Sequence, residues 1–359
     1  MAHPLSGADP ATLAAVFRAG GWPNRWVMAA AIWGAALGRA PVSAIEHLLI
    51  TPRLSERPTA PIFILGHWRS GTTHLYNVMS LGGFGYVPPI ATGLPWDMFG
   101  IARALRPFLE RQLPETRFID NIPVTPTSPQ EDEIAIANMS PLSFYHGIYF
   151  PRGFDRLIDR GLFFEGCSEA EIAAWQARFL LFLRRLEKDQ GKRLLIKNPV
   201  YTARPAMLRR MFPDAKFIHI HRNPFDVFLS MRNFYKKLLA ELALQDPPEA
   251  DEIDATILRV YARMMHAFEA ETEGWETPDF VELPYDFLDT QPMEALERIY
   301  TSLDLNGFET AAPMFSTYLD GVKSYAKNAF RGDAEAVEAV RGHWAPWIEK
   351  WGYQIPDAA

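Results

Sequence analysis

The feature that most constrains the fold is the stretch from Pro61 to Leu75, PIFILGHWRSGTTHL. An apolar run, Ile62–Leu65, ends at Gly66, and a short loop then leads to two threonines. A short apolar run bounded by proline and glycine is typical of a buried strand in a parallel sheet. The sequence therefore predicts a strand, a glycine-bounded loop and a helix, His74–Leu81, in that order.

Later segments repeat this alternation of strand and helix. We predict strands at Arg193–Lys197 (RLLIK), Lys216–His221 (KFIHIH) and Phe280–Leu283. Helices are predicted within 202–212, from Asp226 onward and at Met293–Leu303. Strands that alternate with helices predict an α/β fold, with a central parallel β-sheet flanked by helices in a three-layer sandwich. In such sheets, ligands bind beyond the carboxyl ends of the strands.

The rest of the chain is interpreted as one domain, 1–359, with a helical N-terminal extension, 1–58, packed on it. Glu169–Lys188 has apolar residues at helical spacing and is predicted to be a helix. Residues 86–129 are rich in proline and aromatic side chains and show little periodicity, a composition typical of loops that line a ligand site.

Composition and charge narrow the class of partner. The net charge of −7 argues against nucleic acid, because proteins that bind polyanions usually carry a basic surplus. The single cysteine, Cys167, excludes a disulfide framework within the chain, so we expect a cytoplasmic location. His67, His219 and His221 show no metal-ligand spacing, and we expect no metal.

The N-terminal region lacks the pattern of a signal peptide, and we expect none. The most apolar segment, Trp26–Gly38, is shorter than the ~20 residues that span a bilayer. We therefore predict a buried or amphipathic helix and no transmembrane segment. Peripheral membrane contact and the oligomeric state remain open.

The loop after the first strand has the properties of an anion site. Successive backbone N–H groups and the positive end of the helix dipole form a cradle for an anion. Hydroxyl groups of Ser70, Thr72 and Thr73 add donors, and Arg69 adds a planar fork that suits phosphate oxygens. These properties make the predicted fold P-loop-like.

The loop departs from the nucleotide-triphosphatase pattern G-x-x-x-x-G-K-[ST] at one position. Gly66, Gly71 and Thr73 fit the pattern, whereas Thr72 stands where the lysine should be. The KFIHIH strand is followed by Arg222 instead of the aspartate that helps to hold magnesium. This combination suits a more compact anion bound without a metal.

Taken with RLLIKNPVYTARPAMLRRMFPDAKFIHIHRNPFDVFLS, the loop resembles that of sulfotransferases that use 3′-phosphoadenosine-5′-phosphosulfate (PAPS). The likeness is greatest to the bacterial-type branch with GHWRSGTTHL and PQEDE segments, and it covers roughly residues 60 to 355. The resemblance implies that Arg69, Ser70, Gly71, Thr72 and Thr73 bind the 5′-phosphosulfate. It also implies that Arg222 and Ser230 bind the 3′-phosphate, and their spacing would let one anion touch both.

Five further residues match the family pattern less closely. Lys197 corresponds to a lysine that would offset charge developing on the leaving phosphate. His74 and Tyr285 match positions beside the adenine, although both could equally be packing residues. Lys327 and Arg331 fall in a segment that closes over the 3′-phosphate in related enzymes.

The catalytic base is the point at which this sequence departs from the cytosolic sulfotransferases. Those enzymes place a histidine two residues after the matching lysine, where this chain has Pro199. A carboxylate is therefore expected to remove the acceptor's proton. The candidates are Glu131, Asp132 and Glu133, with Glu131 first and Asp97 in reserve. Equally, acidic residues favour the first turn of a helix because of its dipole.

The resemblance implies sulfonate transfer from PAPS to a hydroxyl or amine of a small acceptor, with release of adenosine 3′,5′-bisphosphate. Enriched aromatic residues between 84 and 154 favour an apolar acceptor such as a lipid, sterol or phenol. Two alternatives remain from the sequence alone: a P-loop nucleotide kinase or hydrolase, and a non-catalytic nucleotide-binding protein on the same fold.

Overall fold

A computed structural model describes residues 3–111, 124–322 and 334–356. Within these ranges it contains four short strands, and helices make up most of the remaining structure. The strands are β1 (Ile62–Leu65), β2 (Leu195–Lys197), β3 (Lys216–His221) and β4 (Phe280–Pro284).

The α-helices are, in chain order, α1 (Pro10–Gly20), α2 (Trp26–Ile50), α3 (Thr72–Met79), α4 (Pro89–Gly93), α5 (Ile101–Ala104), α6 (Arg106–Glu110), α7 (Glu133–Met139), α8 (Tyr145–Tyr149), α9 (Phe154–Phe163), α10 (Glu169–Gln190), α11 (Pro205–Met211), α12 (Pro224–Leu242), α13 (Ala250–Thr272), α14 (Tyr285–Thr290), α15 (Pro292–Ser302), α16 (Phe308–Val322) and α17 (Ala334–Trp351). Short 3₁₀ turns lie at Pro4–Gly7, Thr51–Arg53, Ser80–Gly82, Pro151–Gly153 and Pro199–Ala203.

The contacts of the chain cluster into two compact units. The helical unit comprises Met1–Thr59, Gly85–Leu194 and Lys236–Pro248. The sheet unit comprises Ala60–Phe84, Leu195–Tyr235 and Glu249–Ala359. The interpretation of residues 1–359 as one domain, with 1–58 as an extension, remains a prediction.

The sheet unit is built on four parallel strands in the order β2-β1-β3-β4. Phe63 pairs with Ile196 on one side and with Phe217 on the other. Every residue of β1 is buried, as expected for a strand covered on both faces. Phe63 contacts the rings of Tyr201, Phe212 and Phe217, which places the core around the central strand. The predicted α/β class, with a parallel sheet flanked by helices, is confirmed.

Several element boundaries differ from the sequence prediction by one or two residues. β1 and β3 have the predicted limits, whereas β2 begins at Leu195 instead of Arg193. The backbone of Arg193 and Leu194 instead pairs with Gly85, through a hydrogen bond and an isolated bridge. Helix α3 begins at Thr72, directly after Gly71, whose left-handed conformation ends the loop.

Helix α2 lies within the predicted helical extension and includes the apolar segment Trp26–Gly38. It continues from Trp26 to Ile50, well beyond Gly38, and buries only Ala29, Ile32, Ala36 and Glu46. Among residues 3–111, 124–322 and 334–356, only the helical span from Trp26 to Arg53 is long and apolar enough to cross a membrane, a criterion that core helices of soluble proteins also meet. Within Trp26–Gly38 one side of the helix is buried and the other is exposed, and the interpretation as a buried or amphipathic helix stays a prediction.

Candidate functional site

The candidate site lies where the parallel strands of the sheet unit end. The loop 66–71 follows β1, Lys197 ends β2, Arg222 follows β3 and Tyr285 follows β4. In the order β2-β1-β3-β4, the chain goes from β1 to β2 at one edge of the sheet, and from β3 to β4 at the opposite edge. The loops after β1 and β3 therefore flank the topological switch point, where ligands bind in open α/β sheets.

Two glycines give the loop after β1 its shape. Gly66 has φ 142°, and its N–H donates to the hydroxyl of Thr202 at 2.8 Å. Gly71 has φ 90°, and a Cβ atom there would lie 2.1 Å from Cδ2 of Tyr285. An alanine at Gly71 would face both the left-handed backbone and a collision with the ring. The loop geometry thus depends on glycine at this position.

A hydrogen bond connects the two segments that the sequence assigns to the two ends of a nucleotide. Nε of Arg69 donates to Oγ of Ser230 in α12 at 2.7 Å. The guanidinium of Arg222 donates to the carbonyl oxygen of Arg69 at 3.4 Å and to the carboxylate of Asp226 at 3.1 Å. Arg69, Arg222 and Ser230 therefore form one contiguous polar cluster.

The other loop residues surround this cluster. Ser70 and Thr72 are buried, and Thr73 is half-buried at the first turn of α3. Lys197 is buried, and its Nζ donates to the hydroxyl of Thr73 at 3.2 Å. The ammonium group of Lys197 also lies 6.0 Å from the ring centre of Tyr76. A buried ammonium beside the anion cradle is placed to stabilise negative charge there.

Tyr285 borders the cluster on the side of β4. The guanidinium carbon of Arg222 lies 5.0 Å from the centre of the Tyr285 ring, within the range of a cation–π contact. Burial, together with the nearby carboxylate of Asp289, raises the pKa of Tyr285 to about 12, so its hydroxyl stays protonated at neutral pH. His74 lies beside Tyr318 of α16, with ring centres 6.3 Å apart.

The histidines of the sheet unit have structural partners. His67 is buried against Tyr261, and burial lowers the pKa of its imidazole to about 4. His219 contacts the carboxylate of Glu282 at 2.7 Å. His221 stacks on Trp351 with ring centres 4.1 Å apart. Across the described ranges, no group of three or more His, Cys, Asp or Glu side chains is placed to hold a metal ion.

The four candidate carboxylates belong to the helical unit, where Glu133 and Asp97 accept hydrogen bonds that connect separate segments. Glu133 is buried and accepts hydrogen bonds from the Ser143 hydroxyl at 2.6 Å and the Phe144 N–H at 3.0 Å. Asp97 is buried and pairs with Arg39 and the hydroxyl of Ser43. The contacts of Glu133 tie α7 to the two residues just before α8, and the contacts of Asp97 tie it to α2.

The other two carboxylates differ in exposure. Asp132 is buried and precedes the first residue of α7, without a side-chain cap bond to that helix. Glu131 is half-buried. The exposure of Glu131 suits a group that must exchange a proton.

Two residues that the sequence did not indicate support the candidate site, and two sequence candidates are not described by the structure. Thr202 anchors Gly66, and Asp226 anchors Arg222. Asp226 lies four residues after Arg222, a helical spacing that could have indicated the pair. Thr202 lies 136 residues from Gly66, and no sequence pattern links them. Lys327 and Arg331 lie outside the described residues.

A surface cavity of about 860 Å³ in the sheet unit is separate from this cluster. Its lining includes Phe228 and Arg232 of α12, two residues on either side of Ser230. Because residues two apart lie on opposite sides of a helix, the cavity opens on the other face of α12.

The chain matches a family model described as the sulfotransferase family over residues 61–310. It is 28% identical over 335 residues to omega-hydroxy-beta-dihydromenaquinone-9 sulfotransferase Stf3 of Mycobacterium bovis, and equally to that of Mycobacterium tuberculosis. Each alignment covers 92% of this chain and 85% of the relative.

Two solved structures share the fold. Sulfotransferase STF9 from Mycobacterium avium superposes with a TM-score of 0.67 at 15% identity, covering 97% of this chain and 98% of the other. Sulfotransferase STF1 from Mycobacterium tuberculosis superposes with a TM-score of 0.63 at 17% identity, covering 93% and 90%. The P-loop-like architecture predicted from the sequence is therefore confirmed.

Proposed function

Because the matched region, residues 61–310, makes up most of the 359 residues, the chain belongs to the sulfotransferase family, and we propose that its sulfonate donor is PAPS. We propose a hydroxyl of a small apolar molecule as the acceptor, with an amine as the alternative acceptor group. The observation that carries the donor assignment is the hydrogen bond from Arg69 to Ser230. It joins the loop after β1 to the helix after β3, so one nucleotide with phosphates at both ends can contact both segments.

The donor's 5′-phosphosulfate is assigned to the loop after β1. The N–H groups at the start of α3, the hydroxyls of Ser70, Thr72 and Thr73, and the Arg69 guanidinium would bind it. Support comes from Gly71, where any Cβ atom would collide with the ring of Tyr285. The backbone of the loop therefore passes close to that ring, as only glycine allows.

The nucleoside end of the donor is assigned to the opposite side of the cluster. Arg222 and Ser230 would bind the 3′-phosphate, and Tyr285 and His74 would lie beside the adenine. Lys327 and Arg331 are proposed to contribute to 3′-phosphate binding from outside the described residues.

The transfer step needs charge stabilisation and a base. As the acceptor oxygen bonds to sulfur, the bond from sulfur to the bridging phosphate oxygen breaks, and the bisphosphate leaves with the electron pair. The buried ammonium of Lys197 would offset the charge on the leaving oxygen. A carboxylate would take the acceptor's proton. We keep Glu131 as the first candidate, because its half-buried side chain can exchange a proton with an acceptor, with the neighbouring Asp132 second and Glu133 and Asp97 after them.

A lipid acceptor has support from two sources. The relatives at 28% identity are named for a menaquinone-derived substrate, which is a lipid. The aromatic enrichment between residues 84 and 154 of this chain also suits an apolar acceptor. We propose that the reaction takes place in the cytoplasm and requires no metal.

The donor assignment can be tested by calorimetry in EDTA. We expect adenosine 3′,5′-bisphosphate to bind in this buffer. ATP with magnesium, titrated in a separate buffer without EDTA, should bind far more weakly. Arg222→Ala should weaken the bisphosphate by about 10- to 100-fold, as expected for loss of a charged hydrogen bond. The affinity for adenosine 5′-monophosphate, which lacks the 3′-phosphate, should fall much less in the same variant.

Arg232→Ala is the matched control for this experiment. Arg232 lies in the same helix but pairs with Asp254 at distances of 2.5–3.0 Å. This variant should leave the affinity for the bisphosphate unchanged. Strong binding of ATP with magnesium and none of the bisphosphate would refute the assignment and favour a kinase or hydrolase.

A further inference from the structure

Helix α2 of the helical unit has an unusual distribution of polar and apolar residues. A stripe at alternating spacings of three and four contains its four buried residues and two half-buried polar ones: Ala29, Ile32, Ala36, Arg39, Ser43 and Glu46. The polar members of this stripe are bound to the rest of the unit. Arg39 donates to the carbonyl oxygens of Ser6 and Ala8, and Glu46 pairs with the buried Arg185.

The exposed side of α2 is entirely non-polar. Every residue from Trp26 to Leu49 that is classed as exposed is apolar or glycine. Val27 is 87% exposed and Leu48 is 71% exposed. The large side chains on this face are Trp26, Val27, Leu37, Val42, Ile45, Leu48 and Leu49. A helix that faces water shows the opposite pattern, with its polar residues outside.

The face extends over nearly the full length of the helix, roughly 36 Å at 1.5 Å per residue. A continuous apolar strip of this length is more than the scattered single residues that soluble surfaces normally expose. Such a strip marks a binding surface, and the charges around it indicate which partner fits.

The exposed charged residues that flank α2 along the chain are mostly positive. Arg18 and Arg25 precede the helix in the chain, Arg53 and Arg57 follow it, and all four side chains are exposed. Between Pro10 and Pro58 the acidic residues are Glu46, which is buried, and Glu56, which is exposed beside Arg57, against five arginines. The chain as a whole carries a net charge of −7, so this local positive excess runs against its average. Positive residues at the ends of an apolar strip complement an anionic surface.

Two tryptophans lie at the N-terminal end of the strip. Trp22 and Trp26 are both exposed, with ring centres 5.8 Å apart. Tryptophan is enriched at the boundary between lipid tails and headgroups, because its ring is apolar and its N–H can bond to polar groups. Together, an apolar strip, flanking arginines and exposed tryptophans are the features of a helix that lies in a membrane interface.

We propose that the exposed face of α2 docks on a lipid bilayer that carries anionic headgroups, with the helix lying flat at the interface. Spanning is disfavoured because Arg39 and Glu46 are held along the helix by partners in the same unit. The proposal concerns a surface distinct from the donor site and does not depend on the proposed reaction.

The test is flotation of the full chain with vesicles, without nucleotide or acceptor. The probes are vesicles of phosphatidylcholine alone and of phosphatidylcholine with phosphatidylglycerol. The wild-type chain should float with the anionic vesicles, and Leu37→Glu/Leu48→Glu should reduce the bound fraction at least about tenfold. The matched control is Met314→Glu/Ile355→Glu, which adds the same charges at two other exposed apolar positions. The control should float like the wild type.

Sedimentation velocity without lipid separates this proposal from docking of a second copy. The wild type and Leu37→Glu/Leu48→Glu should sediment alike if the face binds lipid. A wild type that fails to float, or a variant that floats equally well, would overturn the proposal. So would a wild-type dimer that the Leu37→Glu/Leu48→Glu variant dissociates, because the face would then bind a second copy of the chain.

Discussion

Replacing Gly71 by alanine should destabilise the loop through two separable effects. The first is backbone strain, because φ is 90° and an L-residue in the left-handed region costs about 1–2 kcal/mol. The second is overlap with Tyr285, whose ring carbons would lie 2.1 and 2.6 Å from the new methyl group. Forcing a group into a packed space typically costs about 1–3 kcal/mol. We expect Gly71→Ala to lower the free energy of unfolding by about 2–5 kcal/mol.

Gly83 provides a control for the first effect. Its φ is 88°, and a Cβ there would have no neighbour within 4 Å. Gly83→Ala should therefore cost only the strain, about 1–2 kcal/mol. The gain from reduced freedom of the unfolded chain is the same for both variants and cancels in the comparison. Urea unfolding of both variants measures the difference, which reports the collision with Tyr285.

The Tyr285→Ala variant provides a second test of the contribution of the Tyr285 ring. In Tyr285→Ala, the space beside residue 71 is open, so adding Gly71→Ala should cost no more than Gly83→Ala does. The double-mutant cycle thus predicts a coupling of about 1–3 kcal/mol between positions 71 and 285. If Gly71→Ala costs no more than Gly83→Ala in the wild-type background, the packing of the loop against Tyr285 is refuted.

Three further predictions concern pH, a buried ion pair and the base. The imidazole of His67 stays neutral in the folded chain down to about pH 4, whereas the unfolded chain protonates it near pH 6.5. Its contribution to stability is therefore full above pH 6.5 and declines by up to about 3 kcal/mol as the pH falls to 4; His67→Asn should remove this dependence in unfolding titrations. Arg185→Met should cost about 3–5 kcal/mol by leaving the buried carboxylate of Glu46 without its counter-charge, and the double variant with Glu46→Gln should recover much of the loss. Glu131→Gln should lower single-turnover rates at least about 100-fold with little change in bisphosphate affinity, whereas Glu169→Gln, at an exposed helix start, should not. An unchanged rate would move the role of base to Asp132.

The sheet could be predicted closely because its strands carry a strong local signal. The runs Ile62–Leu65 and Lys216–His221 are bounded by turn-forming residues, and both strands have the predicted limits. β2 was predicted two residues too long, since RLLIK does not reveal that Leu194 bridges to Gly85. Such a limit depends on a partner more than a hundred residues away.

Surroundings of individual side chains were harder to predict. Nothing near Glu133 in the sequence indicates that Ser143 and the Phe144 N–H would bind its carboxylate. The hydropathy of α2 correctly indicated a helix, but it could not indicate which face would be covered. That face is set by Arg39 and Glu46, whose partners come from distant parts of the helical unit.

The central claim is transfer of a sulfonate from PAPS to an apolar alcohol, and labelled PAPS tests it most directly. The full chain would be incubated in EDTA with labelled PAPS and a panel of long-chain primary alcohols, phenols, saccharides and a tyrosine peptide. Our account predicts that an alcohol or phenol gains one sulfonate, seen by mass spectrometry, and that Lys197→Ala abolishes the gain while the chain stays folded. Label that remains on the nucleotide, or appears only on the saccharides or the peptide, would contradict it.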